Sequence, residues 1–179
     1  SYNPASYFLD RPMIAVMGED LVSTVYAIDH GNYVTILWYG RPYGMYPERN
    51  LMLAQLYDNG DIVFSYADWV SPDYWGHDAV AGVSKGDGST YVTASPSDNA
   101  AFLFTYGLTT VEITEVSYTV SSIPYFFETV TPPVVSGDDA YGEYTLPFDF
   151  WFYGNTYNTV YLGTNGYITF TEGHTEYSG

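Results

Sequence analysis

The chain has three histidines, His30, His77 and His174. A hydrolytic triad needs a nucleophile, a base and an orienting acid in contact. His30 lies in the turn-like DHGN, His77 in the aromatic segment DYWGHD, and His174 in a tail rich in Gly and Thr. None accompanies a GxSxG-type nucleophile motif, so they read as solvated loop residues and the chain as non-enzymatic. Carboxylates are abundant, 21 Asp and Glu in all, and no pair stands out as a glycosidase acid and nucleophile. Gly137-Asp138-Asp139, with Glu143 nearby, concentrates hard oxygen donors and is a candidate calcium site; Asp58 and Asp61 form a second acidic pair. Neither has EF-hand spacing, and the competing reading is turn-forming Asp with Asx hydrogen bonds. Two loops carry aromatic faces that can stack on pyranose rings, one with Trp69, Tyr74 and Trp75, the other with Tyr43 and Tyr46. The same rings could instead fold over the ends of the domain or meet a neighbour. No Asn-X-Ser/Thr sequon occurs, whereas TVTPPVVS at 129–136 has the exposed, extended character of an O-glycosylated stretch.

The elements that must position these groups are short and β-like. Runs of alternating apolar residues occur at Met13–Met17, Val22–Ile28, Tyr33–Tyr39, Asn50–Tyr57, Ile62–Tyr66, Ala79–Val83, Ser89–Thr93, Ala101–Tyr106 and Val111–Val120. Asp58-Asn59-Gly60-Asp61 is a strong hairpin signal, and a bulge near Glu115 fits the imperfect alternation there. Pro124, Pro132 and Pro133 break the chain after these runs. Residues 146–170, LPFDFWFYGNTYNTVYLGTNGYITF, then read as two aromatic strands and a third, turned at Gly154-Asn155 and Asn165-Gly166. No segment shows sustained helical periodicity. The spacing predicts an all-β, antiparallel sandwich.

Composition narrows the function classes. The chain has 179 residues, enough to bury a real core, with 46% hydrophobic and 14% charged residues; it is not a disordered acidic tail. Four bases, Arg11, Arg41, Arg49 and Lys85, stand against the acids for a formal charge of −17, so nucleic acid and anionic membrane are not expected partners. No apolar run of about 18 residues exists to insert in a membrane. Cysteine is absent, leaving stability to packing, metal or assembly. The first twelve residues lack the basic start and apolar run of a signal peptide, so a secreted form is expected to be processed or partial. Tyrosine is the outlier at 21 residues, with 10 Phe and 4 Trp. Core filling and β propensity account for most of these rings, and a contact surface for a subset.

LPFDFWFYGNTY, VYLGTNGYITF and LAQLYDNGDIVFSY resemble the motifs of a β-sandwich module of secreted bacterial and archaeal surface proteins, remotely nidogen-like. In that module the LPF block precedes the NGDI hairpin. Here it follows, and the tail joined to the head reads as one continuous module. The resemblance divides the chain into residues 1–106, the last two-thirds of a module; 107–120, a connecting strand; and 121–179, the first third of the next or the same module. It implies a sandwich completed by strands from a neighbouring subunit or repeat, one repeat of a tandem array, or a circular permutant.

The function expected is a structural unit of an extracellular or cell-surface fibre, assembling with itself head to tail by strand exchange. The expected interface is Leu146, Phe148, Phe150, Phe152, Tyr157, Val160, Leu162, Tyr167 and Phe170. A carbohydrate-binding or adhesive module, using Trp69, Tyr74 and Trp75 on glycans, is the alternative. The metal expectation is calcium at Asp138, Asp139 and Glu143, with no other cofactor.

Overall fold

The structure, a computed structural model, describes residues 8–45, 49–68, 79–108, 116–124 and 132–175. Among these, thirteen strands form two antiparallel sheets. They are β1 (Met13–Gly18), β2 (Leu21–Asp29), β3 (Tyr33–Pro42), β4 (Asn50–Tyr57), β5 (Ile62–Asp68), β6 (Val80–Ser84) and β7 (Tyr91–Thr93). There follow β8 (Ala100–Leu108), β9 (Val116–Ser122), β10 (Pro133–Asp138), β11 (Tyr141–Phe152), β12 (Asn155–Gly163) and β13 (Tyr167–Thr169). One sheet has the order β11-β12-β13-β1-β6-β7, the other β10-β2-β3-β4-β5-β8-β9.

Period-two patterning sets the faces. Val34, Ile36 and Trp38 of β3, Met52, Ala54 and Leu56 of β4, and Ile62, Phe64 and Tyr66 of β5 all point inward and are at most 1% exposed. The other sheet answers with Ile14, Val16, Val160, Leu162 and Ile168. Buried polar tips pin the two sheets together, as buried Trp and Tyr require. Trp38 Nε1 donates to Gly163 O at 2.8 Å, and Tyr66 Oη donates to Val16 O at 2.7 Å. Much of the tyrosine excess is spent this way or in ring packing.

The LPF block forms the three expected strands, β11, β12 and β13, the first of them starting earlier than Leu146. Tyr141–Phe152 is a single strand with a register shift between Thr145 and Phe150, where Pro147 falls. It lies at the edge of its sheet, where a missing N–H and a bulge are tolerated. β10 begins at Pro133, inside the stretch read as broken, and is likewise an edge strand. The expected bulge near Glu115 lies outside the described residues.

The first and last described strands meet in the middle of a sheet. β13 pairs antiparallel with β1, Ile14 opposite Ile168, and β10 pairs with β2, Thr24 opposite Ser136. The strands expected to complete a neighbour's sandwich here pair with β1 and β2 of the same chain. β9 and β10, consecutive in sequence, sit at opposite edges of the seven-stranded sheet. A cross-strand line runs Ser122, Phe102, Phe64, Ala54, Ile36, Ala27 and arrives beside Tyr26, the partner of Pro133. Six strand spacings amount to roughly 29 Å, and the chain from Ser122 to Pro133 can reach about 36–40 Å at full extension.

Candidate functional site

Three corners of the sandwich converge where the C-terminal strands meet the N-terminal ones. The first is Glu19-Asp20, between β1 and β2; the second is Asp139-Ala140, between β10 and β11; the third is Thr164-Asn165-Gly166, between β12 and β13. The third organises the other two. Asn165 is buried, and its side chain accepts from Leu21 N and donates to Asp139 Oδ1, both at 3.0 Å. Glu19 N donates to Asn165 O, and Val16 N and Met17 N both donate to Gly166 O. Thr164 exchanges backbone and hydroxyl hydrogen bonds with Ala140, and Ser23 Oγ donates to Thr164 O at 2.6 Å. Gly166 has φ +78°, and a Cβ there would run into the Met17 carbonyl oxygen. Only glycine fits this close approach at that φ.

This frame gathers carboxylates. Asp20, Asp138 and Asp139 bring an oxygen each within 4.8 Å of one another, and with Tyr43 they line a cavity of about 240 Å³. Burial, then the charges of Asp138 and Asp139, pushes the Asp20 carboxyl up to about 6. Asp138 is also raised, by desolvation and by Asp139, against the lowering effect of Arg41. Such a trio supplies the hard oxygen donors that a divalent cation takes. Of the expected ligands, Asp138 and Asp139 are in it. Glu143 is not; it sits on the edge strand opposite Tyr161. Asp20, from the turn between β1 and β2, is the member the sequence alone did not point to.

The other candidates fall elsewhere. Asp61 caps its own hairpin, accepting from Tyr106 N at 2.9 Å and from Asn59 Nδ2 at 3.0 Å. His30 stacks on Tyr33 at 4.2 Å, with Thr35 Oγ1 3.2 Å from its Nε2. His174 lies 3.7 Å from Glu172. Trp69, Tyr74, Trp75, His77 and Tyr46 lie outside the described residues, as do residues 129–131 of the 129–136 stretch.

The residues expected to form the self-assembly surface are placed plainly. Leu146, Phe150, Phe152, Val160, Leu162 and Phe170 are buried in the chain's main core, Phe148 and Tyr157 pack against it, and Tyr167 is buried with Phe8, Met13 and Ala15 on the opposite side of the same sheet. Phe152 stacks on Phe170 at 4.5 Å and meets Tyr118 of the facing sheet at 5.6 Å.

A second cavity, of about 320 Å³, lies on the outward face of β3, β2 and β10, beside the acidic corner. Its floor is the backbone of Gly40, Ser23 and Gly137, aligned across the three strands. Arg41 and Arg49, two of the chain's four bases, line it together with Tyr39. The Arg49 guanidinium stands 4.9 Å from the centre of the Tyr39 ring.

No curated protein and no solved structure matches the chain. A family model described as "NIDO related" matches residues 110–179, so the part of the chain that holds β9 to β13 is similar to a nidogen-related family.

Proposed function

We propose that this chain is a structural, non-catalytic unit of an extracellular surface fibre or repeat array, in which β10–β13 of one copy dock on β1 and β2 of the next. The observation that carries this reading is the seam. The C-terminal strands meet the rest through two edge-to-edge pairings, β13 with β1 and β10 with β2. They are joined to β9 only by residues 123–132, which must travel from one edge of a sheet to the other. An exchanged assembly keeps every one of those contacts and changes only which molecule supplies them. Residues 1–106 would then be the receiving part, 107–120 the connection and 121–179 the donated part. Nidogen-related domains are typically extracellular, and the high acidity and tyrosine content suit a secreted surface protein.

Because the chain has no cysteine, a single engineered pair reads the seam cleanly. Thr24 and Ser136 face each other across β2 and β10 with their hydroxyls 3.0 Å apart. The variant carrying Thr24→Cys and Ser136→Cys should, on oxidation at high protein concentration, give a ladder of disulfide-linked multimers on a non-reducing gel. Quantitative intramolecular closure at every concentration, with light scattering showing monomer only, would refute exchange.

A further inference from the structure

The trough on the outward face of β3, β2 and β10 carries a charge pattern opposite to that of the molecule. The chain has a net charge of −17 and four bases, yet two of those bases line this one cavity. Two rows of side chains flank its backbone floor. Tyr39, Thr24 and Ser136 form one row across the three strands; Arg41, Val22 and Asp138 form the other. Arg49 precedes β4 and overhangs the Tyr39 end.

These groups ask for a particular ligand. Guanidinium is planar and donates in a fork that matches a carboxylate. Arg41 also donates weakly to Met45 O at 3.5 Å and faces Asp138, so Arg49, which is exposed, is the arginine best placed to receive an incoming anion. The Thr24 and Ser136 hydroxyls, hydrogen-bonded to each other, can donate to and accept from ligand hydroxyls. Tyr39, 39% exposed, adds an aromatic flank. Asp138 accepts hydrogen bonds but repels a second negative charge. The cavity lies at the small end of the usual ligand range, roughly 300–1,000 Å³, and is larger than a lone carboxylate tip needs. A ring bearing one carboxylate and several hydroxyls satisfies all of these groups; a densely charged acidic peptide meets Asp138 and the overall negative field.

We infer that this trough is a binding subsite for a carboxylated sugar, a uronic acid unit of an acidic polysaccharide, with Arg49 and Arg41 on the carboxylate, Thr24, Ser136 and Asp138 on the ring hydroxyls, and Tyr39 alongside the ring. The inference does not depend on strand exchange, since β2, β3 and β10 adjoin in the same way whichever molecule supplies β10.

The test is calorimetric and NMR titration of the full chain with a trigalacturonate, with neutral galactotriose and a short poly-glutamate as parallel probes. Trigalacturonate should bind in the millimolar range or better, and Arg49→Gln should weaken it by about tenfold, the loss expected for one charge-assisted contact. Tyr39→Leu should weaken it by a smaller factor, and both variants should keep the wild-type melting curve. Absence of binding at about 10 mM trigalacturonate, binding unchanged in the Arg41→Gln, Arg49→Gln double variant, or equal binding of galactotriose would each overturn the subsite. Equal binding of poly-glutamate would reassign the trough to acidic protein partners and overturn the sugar.

Discussion

Asn165 ties three corners together with two side-chain hydrogen bonds and one backbone bond. Its replacement by Ala would leave the buried Leu21 N–H without its acceptor and should cost about 2–4 kcal/mol. Asn165→Asp keeps the shape but adds a fourth carboxylate to the group of Asp20, Asp138 and Asp139. Its penalty should be larger at neutral than at acidic pH. The wild-type chain carries the same signature more weakly. The folded-state value for Asp20 is raised to about 6, so its contribution to stability is full below the unfolded value of about 4 and is lost as pH rises through about 6. Urea melts should therefore show Asp20→Asn more stable than wild type at pH about 7.5, with the advantage gone below pH about 4. An Asp20→Asn curve parallel to wild type across that range would contradict the assignment. Sequence marked Asp138 and Asp139 as a pair, but Asp20 lies more than a hundred residues away, and nothing local could announce its approach.

At the scale of strands, the legible parts were those governed by period-two alternation. The apolar runs from Met13 to Tyr106 all became strands within a few residues of their expected bounds. β10 was missed because Pro133 reads as a breaker, and only its position at a sheet edge makes it harmless. The three strands of 146–170 fall between the expected turns at Gly154-Asn155 and Asn165-Gly166, but β11 starts earlier, at Tyr141, and the register shift between Thr145 and Phe150 absorbs Pro147. The cross-sheet pins could not be read at all, since they join residues such as Tyr66 and Val16 through a tip and a carbonyl. They make a contrast that can be measured. Tyr66→Phe orphans a buried carbonyl and should cost about 1–3 kcal/mol in thermal or urea unfolding. Tyr39→Phe, on the exposed face, should cost less than about 0.5 kcal/mol.

At the scale of the whole molecule, β1 and β13 are antiparallel neighbours whose outer ends, Met13 and Thr169, face each other. Joining Gly179 to Ser1 and opening the chain within 123–132 should therefore turn the seam into a hairpin and remove the edge-to-edge connection. This permutant should fold as a monomer at all concentrations, with a melting temperature no lower than that of the parent. Loss of folding would show that 123–132 contributes more than a connection. The seam also has a consequence in time. As the chain emerges from the ribosome, β1 appears about 150 residues before its partner β13, an interval on the order of ten seconds at ordinary synthesis rates. Throughout that interval one edge of β1 waits for β13, and one edge of β2 waits about 110 residues for β10. In the exchanged assembly proposed above, a finished C-terminal block of another copy would arrive first. Under the exchange proposed above, the order of the strands along the chain would set a race between self-completion and capture, decided by local concentration and the speed of synthesis rather than by any difference in final contacts.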